Sequence, residues 1–194
     1  QYFPDDPDAA LLRRYARQIV LPEVGLAGQK KLAAARVLMI GAGGLGSPVA
    51  LYLAAAGVGK LRLVDDDRVD ETNLQRQVLH TTARVGVSKV QSARDTLVAL
   101  NPALQVEGVD GRVHSSNVDA LVDGCSLIVD GSDNLPTRYL LSDAAVKHGV
   151  PLVYAAVERF SGQVGVFHPA SARGSAPCYR CLFPEPPPPE FAPN

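Results

Sequence analysis

Arg36-Val37-Leu38-Met39-Ile40 runs directly into Gly41-Ala42-Gly43-Gly44-Leu45-Gly46. The first five residues form a short apolar run of buried-strand type. The next six match G-x-G-x-x-G through Gly41, Gly43 and Gly46, with Gly44 shortening the loop further. Glycines permit a tight turn and let backbone N–H groups approach a phosphate at the N-terminus of the following helix. Ser47 to Ala56 reads as that helix, ended by Gly57 and Gly59. Leu61 to Val64 is a second strand, ending at Asp65. Strand, turn, helix and strand make a βαβ unit with a right-handed crossover. Asp65 lies nineteen residues after Gly46, where an acid meets ribose hydroxyls in nucleotide-binding sheets. Asp66 and Asp67 compete for that role, and three successive acids also suit a solvated turn.

Outward from this unit, residues 8–19 carry Ala9, Leu12, Ala16 and Ile19 at helical spacing. Ser88 to Leu100 reads as a helix capped by Ser88 and stopped at Asn101-Pro102. Leu104–Val109, Leu127–Asp130, Leu152–Ala155 and Gln163–Phe167 read as strands, and Leu135–His148 as a helix. The fold class is α/β: a doubly wound, Rossmann-like, mostly parallel sheet with an N-terminal helical arm over residues 1–35. Residues 1–183 form one domain, and the prolines crowding 184–194 make a linker in which the chain looks cut short.

The 194 residues are 46% apolar and 20% charged, with a net charge of −1. There is no global basic field for nucleic acid or a membrane surface. No apolar run approaches the ~20 residues of a membrane span, and the N-terminus lacks signal-peptide character. Three cysteines do not make a disulfide scaffold, so a cytoplasmic home is expected. Positive charge at a nucleotide site must then be local.

Asn73-Leu74-Gln75-Arg76-Gln77 and Lys89 supply it. Arg76 offers a planar fork and Lys89 a point charge for phosphates. In isolation Lys89 would be a surface lysine beside a helix cap. Asp130-Gly131-Ser132-Asp133-Asn134 opens the next helix. Asp133 can hold Mg²⁺ through oxygen, or simply N-cap that helix. Cys178-Tyr179-Arg180-Cys181 has zinc-ligand spacing but is half a tetrahedral set. The bland alternative is a pair of free or redox thiols lying between proline loops. His168 is the nearest extra donor and reads better as a surface residue, and Cys125 as a core thiol.

Taken together these motifs resemble the ThiF/MoeB/HesA activating enzymes, relatives of the ubiquitin-activating enzymes, and within them the MoeB type. The match runs from Arg14-Tyr15-Ala16-Arg17-Gln18 to Pro177-Cys178-Tyr179-Arg180-Cys181, through the glycine turn, Leu63-Val64-Asp65, Asn73–Gln77, Val85–Lys89 and Ser132-Asp133-Asn134. The resemblance implies a homodimer in which ATP adenylates the C-terminal Gly-Gly carboxylate of a small ubiquitin-like sulfur carrier. Such a carrier would be MoaD-like or ThiS-like and would serve molybdenum cofactor synthesis, or alternatively thiamine synthesis or tRNA thiolation. It assigns the turn of Gly41, Gly43, Gly44 and Gly46 to phosphate and Asp65 to ribose. Asn73, Leu74, Gln75, Arg76 and Lys89 line the nucleotide, and Asp133 with Asn134 completes the site, Asp133 holding Mg²⁺. It sends Arg17 into the neighbouring subunit's site. Family members place zinc on a second C-x-x-C downstream of Cys178 and Cys181, which this sequence lacks. Competing readings are an NAD(P)-dependent oxidoreductase, for which the chain has no second domain, and a non-catalytic binding module, against which Arg76, Lys89 and Asp133 argue.

Overall fold

The computed structural model describes residues 7–168 and 176–186. Helices α1 (Pro7–Ile19) and α2 (Gly25–Ala34) lead into β1 (Arg36–Ile40), α3 (Gly46–Ala56) and β2 (Lys60–Asp65). Then come α4 (Lys89–Leu100), β3 (Gln105–Asp110), α5 (Val118–Val122), β4 (Leu127–Asp130) and α6 (Leu135–His148). The chain closes with β5 (Leu152–Glu158), β6 (Ser161–Phe167) and the short α7 (Tyr179–Leu182). Among the described residues the strands form one sheet of order β3-β2-β1-β4-β5-β6. All neighbours are parallel except β5 and β6. This is the doubly wound order expected, with an antiparallel edge strand. The sheet reverses direction of growth between β1 and β4, which sets a crevice at the carboxyl ends of those two strands. None of the described helices is long and apolar enough to cross a membrane.

The period of two along β1 explains the two layers. Leu38 and Ile40 face a core built with Val118, Leu121, Tyr139, Leu141 and Ala144 of α5 and α6. Val37 and Met39 face the other side, against Ala50 and Ala54 of α3 and Ala93 and Leu97 of α4. Because both faces are covered, β1 after Arg36 and β4 up to Asp130 read as unbroken apolar runs, and β2 is interrupted by half-buried Arg62, which is why the sequence located them well.

Differences from the sequence reading have local causes. Helix α2 lies within the expected helical arm but was not read as a separate element: Val24 at its N-cap makes no side-chain bond, and its buried residue is the polar Gln29. Gln29 and Gln18 both donate to the Ala56 carbonyl, and Gln18 also donates to Gln29. This polar knot ties α1 and α2 to the end of α3. Strands β5 and β6 are longer than expected because they pair over seven residues each, from Leu152↔Phe167 to Glu158↔Ser161. Ser88 does occupy the N-cap of α4, but its hydroxyl makes no cap bond. The proline-rich stretch from 187 onward and residues 1–6 lie outside the described residues.

Candidate functional site

The glycine turn caps β1 at the sheet's reversal point. Gly41 takes φ +88°, and a Cβ there would lie 2.8 Å from the Gly131 carbonyl oxygen. A Cβ on Gly46 would lie 1.9 Å from the Gly41 carbonyl oxygen. Both positions therefore demand glycine for steric reasons that need no ligand. The Ala42 N–H donates to Asp65 Oδ2 at 2.7 Å, and its carbonyl accepts from Ser47 Oγ at 3.0 Å and His80 Nε2 at 3.0 Å. The N–H groups of Gly43, Gly44 and Leu45 have no acceptor among the described residues. Unpaired donors on successive residues ahead of a helix N-terminus make a cradle for an anion.

Segment 65–80 folds back over that cradle. Asp65 Oδ1 also accepts from the Asp67 N–H at 2.8 Å, so the acid at the end of β2 ties its own loop to the glycine turn. Asp70 accepts from the N–H and hydroxyl of Thr72 and caps a single 3₁₀ turn, Glu71–Asn73. The turn aims Asn73, whose Oδ1 accepts from Arg76 Nη2 at 2.8 Å. The stem of Arg76 passes over Gly44, its Cδ 3.6 Å from where a Cβ would stand. The amide of Gln77 approaches Gly43 in the same way, at 3.8 Å. Leu74 is half-buried and Gln75 exposed beside them. Lys89 is buried at the start of α4, with its ammonium 2.7 Å from Asp67 Oδ2. Asp65, Asp66 and Asp67 bring carboxylate oxygens within 4.8 Å of one another. Arg112 donates to Asp66 at 2.5 Å, and the guanidinium is held above its ordinary range by that bond, with Asp67 and Asp133 adding to it. Asp133 thus faces the same charged patch as the β2 loop.

The loop after β4 separates two roles that the sequence left open. Asn134, not Asp133, caps α6: its Oδ1 accepts from the Thr137 N–H at 3.0 Å. Asp133 is exposed and, among the described residues, receives only a 3.4 Å contact from the Asn134 amide. Its carboxylate is available to a cation. Behind it, Asp130 is fully buried, and its Oδ1 takes the N–H and hydroxyl of Ser132 at 2.9 and 2.6 Å. Burial pushes the Asp130 carboxyl up, against those two bonds and the charge of Arg138. Arg138 donates to the Ser132 carbonyl at 3.0 Å and stacks over Tyr154. Ser132, the residue before Asp133, is therefore gripped from both sides.

Three expected site residues lie away from the glycine turn. Arg17 is exposed on α1, between Arg14, which donates to the Leu100 carbonyl, and Gln18 at the Ala56 carbonyl. These are the C-terminal ends of α4 and α3. The whole of α3, eleven residues or about 16 Å, separates them from the glycine turn. Cys178 and Cys181 flank the start of α7, so the pair does sit at a helix start. Their sulfurs are 3.7 Å apart. Tetrahedral zinc with Zn–S near 2.3 Å holds two sulfurs about 3.8 Å apart. Burial raises the Cys178 thiol, but bonds from the Cys181 backbone and thiol and the Arg180 backbone outweigh it and leave it lowered. Arg180 clamps Asp143 of α6 at 2.7 and 2.8 Å, and Tyr179 packs edge-on to Tyr139, so the pair is docked firmly on the domain. His168 is exposed, and the partly buried Cys125 thiol is pushed up by burial.

Sequence reasoning did not find Ser47, His80, Asp130 or Arg138. Each is a polar residue buried under the site, and a histidine inside Val78-Leu79-His80 looks like core filler. The available signal was a polar side chain interrupting an apolar run next to a phosphate turn.

The ThiF family profile matches residues 15–194. The chain is 52% identical over 193 residues to the probable adenylyltransferase/sulfurtransferase MoeZ of Mycobacterium tuberculosis, covering 97% of this chain and 49% of that protein. It is 52% identical over 184 residues to the sulfur carrier protein adenylyltransferase of Thermus thermophilus, covering 94% of this chain and 68% of that protein. Among solved structures, E. coli MccB with ATP aligns at a TM-score of 0.77 and 26% identity, over 87% of this chain and 50% of that one. The fold defines a doubly wound α/β domain, and the chain belongs to the ThiF family. It spans about half the length of MoeZ.

Proposed function

We propose that this domain adenylates the C-terminal Gly-Gly carboxylate of a ubiquitin-like sulfur carrier, releasing pyrophosphate. One observation carries the reading. Arg76 crosses the glycine turn at Gly44, beside unpaired N–H groups, while Lys89 and Asp133 face the same end of the sheet. In the reaction a carboxylate oxygen attacks the α-phosphorus, and the bond to the β,γ-pyrophosphate breaks. The nucleophile is already an anion, so no base is needed; positioning and neutralisation of the leaving group carry the step. The turn of Gly43, Gly44 and Leu45 cradles phosphate and Arg76 and Lys89 neutralise it, while Asn73 orients Arg76. Asp65 keeps lone pairs for a ribose hydroxyl beyond its two backbone bonds. Leu74, Gln75 and Asn134 line the approach.

The donor chemistry fits Mg²⁺: Asp133 is an exposed carboxylate with no strong partner among the described residues. Bound there, the ion would screen the charge of the departing pyrophosphate. Cys178 and Cys181 fit half of a zinc site, and the other two ligands must come from outside the described residues. Arg17 lies too far from its own glycine turn to serve it, so we assign it to a second copy's site in a homodimer. The named relatives favour a sulfur carrier, and the molybdenum cofactor route is our choice over thiamine synthesis or tRNA thiolation. Residues 1–183 would be the catalytic domain and 184–194 a linker. Free thiols at Cys125, Cys178 and Cys181 suit a reducing cytoplasm.

The test is ATP–pyrophosphate exchange with purified carriers. Exchange should require a carrier ending in Gly-Gly, and Arg76→Ala should slow it by on the order of 10²–10³, the usual loss for one transition-state charge partner. Full exchange in that variant, or exchange without a carrier, would overturn the assignment.

A further inference from the structure

His80 touches none of the groups assigned to the nucleotide, yet it is 5% exposed and sits directly beneath the turn. Its Nε2 is 3.0 Å from the Ala42 carbonyl oxygen and its Nδ1 is 2.9 Å from Ser92 Oγ. A carbonyl can only accept, so Nε2 carries the proton. In the neutral ring Nδ1 is then an acceptor, and the Ser92 hydroxyl donates to it. Ser47 Oγ donates to the same Ala42 carbonyl from the first turn of α3. Both lone pairs of that oxygen are therefore directed into the protein.

The Ala42 carbonyl shares a planar trans peptide with the Gly43 N–H, and the two point in opposite directions. Pinning the carbonyl towards buried His80 and Ser47 forces the Gly43 N–H to point away from them. Glycine at 43 makes the Ala42–Gly43 peptide easy to flip, since no Cβ opposes the rotated form. A flipped peptide would present a carbonyl oxygen where a phosphate needs a donor. We propose that His80 is a positioning residue for the phosphate cradle: a latch that, with Ser47, prevents this peptide from flipping. The inference rests on the nucleotide reading above and not on the carrier.

The test measures binding of Mg–ATP, pyrophosphate and adenosine by calorimetry to wild type, His80→Ala and His80→Gln. Loss of the latch should weaken ATP and pyrophosphate about tenfold, roughly the worth of one hydrogen bond. Adenosine, which has no phosphate, should bind as it does to wild type. Glutamine, whose amide can donate to Ala42, should return ATP affinity to within about threefold. If His80→Ala does not fold, Ser92→Ala keeps the ring but removes its support, and should show the same selective loss on a smaller scale. ATP affinity unchanged in these variants, or ATP and adenosine weakened equally, would overturn the latch. A wild type that binds ATP in a His80-dependent way but shows no exchange with any carrier would leave the latch standing and remove the carrier reading.

Discussion

Asp133 and Asn134 are adjacent, and the structure gives them different work. Asn134 Oδ1 bonds the Thr137 N–H at 3.0 Å and caps the fourteen-residue α6. Replacing an N-cap Asn with Ala costs about 1 kcal/mol, within 0.5–2. For a domain near 200 residues, 1 kcal/mol moves Tm by about 2–4 °C. Asn134→Ala should therefore melt a few degrees lower, and Asn134→Asp, an equally good cap, should melt with the wild type. Asp133 is exposed and holds only the 3.4 Å contact, so Asp133→Ala should lie within about 0.5 kcal/mol of wild type, about 2 °C at most. Exchange should show the reverse for Asp133: Asp133→Asn keeps the shape, loses the charge, and should abolish adenylation while ATP still binds. Circular dichroism melts and pyrophosphate exchange on the same four proteins decide it. If Asp133→Ala melts as low as Asn134→Ala while turnover per folded molecule is unchanged, the division of labour is refuted.

Gly46→Ala must displace the Gly41 carbonyl, 1.9 Å from the new Cβ, and should cost about 3 kcal/mol or more, read as a Tm loss of roughly 6–12 °C even without nucleotide. His80 is held below its ordinary pKa, chiefly by burial, with Lys89 and Arg84 adding to this while the Ala42 bond and Asp65 oppose it. The unfolded chain then binds more protons, so stability should fall as pH drops below about 6.5, by at most ~1.4 kcal/mol per unit, until the folded-state pKa is passed. His80→Gln should flatten that part of the urea-denaturation pH profile. The raised pKa of buried Asp130 works in the opposite sense, favouring the fold on acidification, and should remain in the variant. Finally, Arg17→Ala and Asp133→Asn homodimers should each be inactive, and mixing them should restore part of the exchange in hybrid dimers with one intact site. No recovery despite demonstrated subunit exchange would remove Arg17 from the site.

The sheet was readable because its central strands are covered on both faces, so that β1 and β4 leave continuous apolar runs and β2 one broken by Arg62. Both ends of α6 were readable too, from the polar residues before Leu135 and from Gly149, which closes the helix at φ +65°. The bounds of α2 inside the N-terminal helical arm were not, since Gln29 is its buried residue and no side chain caps it. At the site, the spacing of Arg76 and Lys89 pointed to phosphate, but not to what either side chain does between its neighbours. Roles set by contacts far apart in the chain left no local pattern. His80 meets Ala42 across 38 residues, and Tyr15 meets Asn101 across 86.

The ion pair of Lys89 and Asp67 has a consequence for selectivity. The buried ammonium is already neutralised by a carboxylate whose own side chain is 59% exposed. Any anion that claims Lys89 competes with Asp67, and a weakly charged ligand gains little from the swap. A ligand that succeeds leaves Asp67 beside the anion, next to Asp65 and Asp66, where like charges repel. A divalent cation arriving with the ligand removes that repulsion. Nucleotide and cation would thereby be coupled, each raising the affinity of the other by the same factor. On the proposed reading, the domain would select for a metal–polyphosphate complex over either component alone, through a counterion exchange built into its own loop.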